Sequence, residues 1–600
     1  SDLQNAVTDY LKHLADPTFA EQVGLYGERL LSPEKTADVR YSFTLFERTP
    51  SGNRVRVQTD NTDQPFDINE GSKLELGSTA KLRVLATYLE YIATLHRRYA
   101  GLGVEELRKV PVDPLDAISR WSIDYLIEHK DRDLYAMLQA AMERTYSASP
   151  YESFFTGGGV HTFNNFRKED NGRRPTLRDS LRESINLPFV RLLRDIVRHD
   201  MYRPEGGKMQ LLSDDKDPRR QGYLDLFVSR ESQTYLRRFW NKYQGKSADE
   251  RMSTFLDGLN PWGARMAAIH RYLLPQADLT TFAAFMRERV PKANPALTDK
   301  RVQDLYTRYG PGAFNLNDQG YVARVHPLEL WLLGYLQANP QATFRDAVEA
   351  SGDERREVYS WLFKSKRKHA RDKRIRIMLE VEAFLDIHEH WKSLGYPFDH
   401  LVPSLATALG SSGDRPAALA ELMGIILNDG VRQSTLRIDQ LHFAADTPYE
   451  TLVGYETREG KRVMTSEVAA TLRDSLSKVV EGGTARRLQG TFTLPGGEPL
   501  VMGGKTGTGD NRIQTVTRYG AVTSSKAMNR TATFVFYLGP RHFGTLTAFV
   551  EGSKADKFSF TSALPVQVLK GMAPILQPYL APGLSTQCQD LAPAVQVSRR

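Results

Sequence analysis

Six hundred residues exceed what one hydrophobic core usually organises, so about two to four domains are expected, with ample chain to bury a site. Hydrophobic content of 40% with 25% charged residues is that of a soluble globular protein, and a net charge of +8 from 80 basic and 72 acidic side chains is a mild basic bias that falls far short of a nucleic-acid-binding signature. A single cysteine, Cys588, rules out an intrachain disulfide and a Cys-based zinc site, and nothing in the composition asks for a metal or a cofactor.

No run of about 18 apolar residues appears and no export signal opens the chain, which begins at Ser1, so it reads as a processed piece whose anchor or signal lies outside it. Residues 1–38 open with Leu3, Val7, Tyr10, Leu11 and Leu14 at helical spacing, a helix or linker leading from an upstream domain. Val39, Tyr41, Phe43 and Leu45 then alternate with Arg40, Ser42 and Thr44, predicting a half-buried strand. The turn Pro50-Ser51-Gly52-Asn53 sends the chain back through Val55 and Val57 as a hairpin.

The next stretch, Gly77-Ser78-Thr79-Ala80-Lys81, leads into Leu82, Leu85, Leu89, Ile92 and Leu95, a helix expected to be buried on most of its circumference. A serine and a lysine three residues apart share one helix face. If that turn opens the helix, the hydroxyl also meets free backbone N–H groups and the positive end of the dipole. Residues 97–175 read as helical and then irregular. Thr176 to Leu181 starts another helix that runs into Ser184-Ile185-Asn186-Leu187-Pro188, where Pro188 predicts a tight non-helical connection, with helix resuming at Val190.

From 201 to 396 charge and aromatics dominate over helical runs, marking a mainly helical insertion. Within it, Lys364 to Arg374 is a basic block, read either as a solvated helix face or as a contact for an anionic partner or lipid headgroups. Beyond 397 a globular pattern returns, with helices at Pro416–Leu427 and Ser466–Val480, then Gly503-Gly504-Lys505-Thr506-Gly507-Thr508-Gly509. Two strands follow, the first a nearly continuous apolar run at Thr531–Leu538 expected at the sheet centre. A closing helix spans about 560–580, and 581–600 is expected to be a loose tail. The domain reading is therefore 1–38, 39–200, 201–396, 397–580 and 581–600.

Ser-x-x-Lys also occurs at Ser32/Lys35, Ser213/Lys216, Ser365/Lys368 and Ser475/Lys478, so Ser78/Lys81 means little alone. Each of its partners also has an ordinary explanation, Ser78 as a helix cap and Lys505 as a solvated loop lysine. Ser78-x-x-Lys81, Ser184-x-Asn186 and Lys505-Thr506-Gly507, in that order, resemble the three-motif signature of the penicillin-binding proteins and serine β-lactamases. Thr176–Arg191, Asn164-Asn165-Phe166 and Gly483-Thr484-Ala485 are similar to segments flanking those motifs in the class A penicillin-binding proteins. The resemblance covers roughly 39–200 and 397–580 and leaves out the insertion.

The resemblance implies an α+β fold, an antiparallel sheet flanked by helices, and a peptidoglycan D,D-transpeptidase. Ser78 would attack the penultimate D-alanine carbonyl of a stem peptide, giving an acyl-enzyme that an amine from a neighbouring stem peptide resolves into a crosslink. Lys81, neutral through burial and the Lys505 charge, would take the Ser78 proton, and Ser184 would relay a proton to the leaving amine. Asn186 would bond the substrate amide, Lys505 would supply positive potential, and Thr506 and Thr508 would bind the terminal carboxylate. Gly507 would let substrate lie close to the edge strand, and the N–H groups of Ser78 and Thr508 would form the oxyanion hole.

β-Lactam antibiotics would stall the same serine. An upstream glycosyltransferase domain and membrane anchor would make the parent protein bifunctional and place this part in the bacterial periplasm, at the outer face of the cytoplasmic membrane. Asp510-Asn511-Arg512 departs from the family's wording after the third motif, which bears on acceptor choice. The rivals are a serine β-lactamase, which lacks a convincing Glu-rich loop here, a D,D-carboxypeptidase, and a non-catalytic β-lactam or stem-peptide sensor or scaffold.

Overall fold

The computed structural model describes residues 1–156, 159–291, 297–454, 458–516 and 522–580; the predicted tail at 581–600 lies outside them. The chain divides into two units, one of Ser1–Met209 with the residues from Glu380 onward, the other Gln210–Leu379.

The first unit is α+β. Its six-stranded sheet contains β1 (Arg40–Thr49), β2 (Gly52–Asp60), β3 (Thr435–Leu436), β4 (Met502–Val516), β5 (Val522–Leu538) and β6 (His542–Glu551), in the order β4-β5-β6-β1-β2-β3. All pairings are antiparallel except the short one between β2 and β3. The hairpin predicted at residue 50 joins β1 to β2, and the apolar run Thr531–Leu538 lies in β5, between β4 and β6.

One strand expectation is corrected. β1 is buried on both faces, with Ser42 and Thr44 as inaccessible as Tyr41 and Phe43. Of its polar alternates, Thr44 is satisfied across the sheet, sharing a hydroxyl bond of 2.8 Å with Thr545, as Thr533 of β5 does with Thr547 of β6 at 3.0 Å, while Ser42 Oγ has no hydrogen-bond partner among the described residues. A buried hydroxyl that finds a partner loses little, so polar alternation does not by itself imply a wet face.

Helices cover both faces. Those that matter for the site are α1 (Asp2–His13), α2 (Ala80–Tyr99), α3 (Leu177–Glu183), α4 (Asn186–Tyr202), α5 (Pro416–Leu427), α6 (Ser466–Gly482) and α7 (Ala563–Leu576). α1 packs on β2 and α7, and α7 on β5 and β6. On the other face α5 and α6 sit so close that a Cβ on Gly424 would lie 2.6 Å from the Phe543 ring, and one on Gly503 2.7 Å from the Leu476 backbone. In α2 the predicted Leu82, Leu85, Leu89, Ile92 and Leu95 are all buried, each contributing roughly 1.5–3 kcal/mol by leaving water.

The second unit is helical throughout its described residues, including Arg219–Tyr243 and Pro327–Ala338. Part of the basic block is paired inside this unit: Lys368 with Asp215 at 2.9 Å and Asp372 with Arg220 at 2.5 Å, while Arg374 lies over the rings of Phe227 and Trp361. No helix among the described residues is long and apolar enough to cross a membrane.

Candidate active site

Ser78 sits in a single 3-10 turn, Gly77–Thr79, at the head of α2. Three glycines allow that turn to press against β4. A Cβ on Gly77, which has φ +56°, would fall 2.1 Å from the Thr508 carbonyl oxygen; one on Gly507 would lie 2.2 Å from the Leu76 oxygen, and one on Gly509 1.9 Å from the Glu75 oxygen. Only glycine fits such backbone contact. The missing side chain at Gly507 thus makes room for the turn that carries Ser78, while Gly507 itself lines the cavity beside Ser78.

A buried ion pair fixes the same turn from behind. Arg83, one helical turn beyond Ala80 in α2, donates from Nε to Asp414 Oδ2 at 2.7 Å and from Nη2 to Oδ1 at 3.3 Å. Asp414 in turn exchanges two backbone hydrogen bonds with Leu74, at 2.8 and 3.0 Å. Neither residue stood out in the sequence.

The second motif departs from its predicted backbone. Ser184 caps α3 in the left-handed region (φ 56°, ψ 45°), but α4 begins at Asn186 itself instead of at Val190. Pro188 falls in the first turn of α4, where its missing N–H costs nothing, so it permits the helix it was expected to delay. Asn164 and Asn165 buttress the loop: Asn186 Nδ2 donates to Asn164 O at 2.9 Å, and Leu187 N to Asn165 Oδ1 at 3.1 Å.

The third motif lies within edge strand β4, ahead of β5 and β6. Lys505 pairs in register with Val535 and is fully buried, as is Lys81. The two lysines meet at Ser184. Lys81 Nζ bonds Ser184 Oγ at 3.1 Å, Ser184 O at 2.9 Å and Asn186 Oδ1 at 2.7 Å. Lys505 Nζ bonds Ser184 Oγ at 2.9 Å and Thr506 O at 2.6 Å.

Burial of two ammonium groups without a carboxylate opposes their charged forms. Lys81 is driven well below the ordinary lysine value, first by desolvation and then by the Lys505 charge. Desolvation brings Lys505 down to about 7. A neutral Lys81 amine has two protons and a lone pair, so one of its three contacts must donate to it. Of the three partners, only the Ser184 hydroxyl carries a proton to give.

Ser78 faces the same space. Its hydroxyl makes no hydrogen bond among the described residues, and Lys81 Nζ is engaged with Ser184 and Asn186. Ser78, Ser184, Asn186, Thr506, Gly507 and Thr508 line one cavity of about 320 Å³. Thr484 joins them, its hydroxyl sharing a proton with Thr506 Oγ1 at 2.7 Å, while Thr508 Oγ1 accepts from Ser562 N at 3.0 Å. Of the other Ser-x-x-Lys serines, Ser475 donates back to Thr471 O in its own helix and Ser32 to Glu34.

No family model and no curated protein matches the chain. Solved structures similar to it include penicillin-binding protein 3 from Mycobacterium tuberculosis complexed with aztreonam, at 12% identity and a TM-score of 0.38, with 99% of this chain and 79% of that one covered. PonA1 from Mycobacterium tuberculosis matches at 12% identity and a TM-score of 0.37 (95% and 82% covered). The transpeptidase domain of Burkholderia pseudomallei penicillin-binding protein 3 matches at 11% and 0.35 (98% and 96% covered). These are likenesses at low identity and low TM-score, and the functional reading below rests on the site's own residues.

Proposed function

We propose that the chain is a serine D,D-transpeptidase that crosslinks peptidoglycan stem peptides and is acylated by β-lactams at Ser78. The observation that carries this reading is the convergence of Lys81 and Lys505 on Ser184 Oγ, at 3.1 and 2.9 Å, on the wall of a cavity that also holds Ser78, Thr506 and Thr508. Two buried lysines with depressed proton affinity, joined by one hydroxyl, form a proton relay beside a half-buried nucleophile that lines the cavity and two hydroxyls suited to a carboxylate.

In acylation the Ser78 oxygen bonds the penultimate D-alanine carbonyl carbon and the peptide C–N bond breaks. The Ser78 proton passes to Lys81, and Ser184 delivers one to the departing D-alanine amine. The terminal carboxylate sits at Thr506 and Thr508, under the positive potential of protonated Lys505, and Asn186 holds the substrate amide. The Ser78 and Thr508 N–H groups, adjacent because Gly77 packs on Thr508, stabilise the developing oxyanion; one such donor is worth about 3–4 kcal/mol.

On this reading the protein works on the cell wall outside the cytoplasmic membrane, as part of a bifunctional protein with a glycosyltransferase domain and an anchor. Incubation with a D-Ala-D-Ala pentapeptide and an amine acceptor tests the activity. Release of D-alanine with formation of the crosslinked product supports it; release with water as the only acceptor reduces the protein to a carboxypeptidase, and no release, or release that Ser78→Ala leaves unchanged, defeats it.

A further inference from the structure

The mouth of the Ser78 cavity is strongly basic. Arg29, Arg167, Arg486 and Arg487 line it, against Asp170 and Glu183. The two acids are already taken: Asp170 bonds Arg167 at 3.2 Å and Arg173 at 2.8 Å, and Glu183 pairs with Arg173 at 2.7 Å. The other three arginines have at most one distant carboxylate between them among the described residues. The Arg486 side chain has no hydrogen bond or ion pair among the described residues. Arg487 reaches only the neutral Gln567 Oε1, at 3.3 Å. Arg29 has only the neighbouring Glu28, at 3.9 Å, and the Phe166 ring, at 5.3 Å.

The backbone that carries these cations is anchored by the fold. Arg29 adopts φ 64°, and its carbonyl accepts from Thr561 N at 3.0 Å at the head of α7. Gln567 of α7 donates to Val23 O at 3.0 Å while accepting from Arg487, so it ties the segment before Arg29 to the turn Arg486–Leu488. Uncompensated like charges brought together at a cavity mouth raise the local potential for anions. Guanidinium groups suit carboxylates in particular.

Their place in the cavity identifies which carboxylate. Arg486 and Arg487 follow Thr484, whose hydroxyl is bonded to Thr506, the residue assigned above to the terminal carboxylate. The arginines therefore lie on the leaving-group side. An acceptor amine must arrive where the D-alanine amine departed, because it attacks the same carbon along the reverse path.

We propose that Arg29, Arg486 and Arg487 form the acceptor subsite and bind the carboxylate of an amine-bearing acceptor peptide, an inference that rests on Ser78 being the acylated nucleophile. In the step they serve, the acceptor nitrogen bonds the acyl carbon, the Ser78 Oγ–carbon bond breaks, and the proton lost by the amine returns to Ser78 Oγ through the Lys81–Ser184 relay. Water, the competing acceptor, has no carboxylate and gains nothing from the arginines. The subsite thus favours crosslinking over hydrolysis.

The test uses the whole chain and an N-acyl-D-alanyl thioester donor, with glycylglycine or glycylglycinamide as acceptor, whose terminal group lies one residue beyond the carboxylate position assigned to Thr506 and Thr508. The ratio of aminolysis to hydrolysis is read from the products, and labelled penicillin on Ser78 counts the intact sites in each preparation. Wild type is expected to prefer glycylglycine, and the R29Q/R486Q/R487Q variant to lose about tenfold or more of its aminolysis ratio with glycylglycine but less than about twofold with the amide. An unchanged ratio, an equal loss with both acceptors, or a wild type that only hydrolyses would overturn the acceptor subsite while leaving Ser78 acylation standing. Absence of any acyl-enzyme on wild-type Ser78 would remove the parent reading and the subsite with it.

Discussion

Gly77 and Thr508 touch backbone to backbone: a Cβ on Gly77 would fall 2.1 Å from the Thr508 carbonyl oxygen and 2.8 Å from its nitrogen. Residues far apart in the chain are thereby held at a separation no side chain tolerates, and the nucleophile's turn is seated on the edge strand. Gly77→Ala adds both a clash and an unfavourable positive φ. The expected cost is about 2–5 kcal/mol, the sum of overpacking and left-handed strain. Urea midpoints with and without the substitution check it, and Ser78 acylation by a β-lactam is expected to fall with them.

The Arg83–Asp414 pair makes a second structural prediction. Both side chains are buried, at 0% and 8% exposure, so removing one partner strands the other charge. Asp414→Asn is expected to destabilise by roughly 3–5 kcal/mol, whereas the double replacement Arg83→Met/Asp414→Leu recovers much of that loss. A double-mutant cycle by denaturant unfolding measures the difference. Recovery smaller than the experimental error would show that the pair acts through geometry alone.

Much of this fold was legible in the sequence. Period-two and helical patterns located β1, β2, α2, α5, α6 and the central β5, and three short motifs in order picked residues that the fold brings together around one cavity. What escaped had a physical reason in each case. Thr44 alternates like a surface residue but finds Thr545 inside the sheet. Pro188 reads as a helix breaker but occupies a first turn, where it is harmless. Lys505 taken alone has the ordinary reading of a solvated loop lysine, yet it lies buried in β4, where Gly503 and Gly504 admit the Leu476 backbone and β5 and Gly507 admits the Ser78 turn. Arg29 and Asp414 reach the site only through tertiary packing, which no local pattern announces.

Thr484 carries a smaller prediction. Its hydroxyl bonds Thr506 at 2.7 Å, orienting a group assigned to the substrate carboxylate. Thr484→Val keeps the shape and removes the bond, and a neutral hydrogen bond of about 1 kcal/mol corresponds to roughly a fivefold loss. The loss is expected in kcat/KM for a D-Ala-D-Ala peptide. An equal loss for a substrate lacking the terminal carboxylate would remove Thr484 from that role.

Lys505 makes the site pH-dependent in a defined direction. Its folded-state value is about 7 against an ordinary 10.5, because burial opposes its charge. Between those values the unfolded chain binds the proton and the folded chain does not, so this residue's contribution to unfolding free energy rises with pH from about 7 to 10.5. Lys505→Met is expected to flatten that rise in urea midpoints compared across the window. Above about 7 the folded protein also loses the positive charge near Thr506, so KM for a carboxylate-terminated donor is expected to rise with pH.

The central claim is that Ser78 is the nucleophile of a site built by Lys81, Ser184 and Lys505. Incubation with a labelled penicillin, proteolysis and mass mapping of the adduct test it most directly. One equivalent of label on the peptide containing Ser78, abolished in Ser78→Ala and slowed in Lys81→Met, is the predicted result. Label on a peptide without Ser78, or no label on a folded protein, would contradict it.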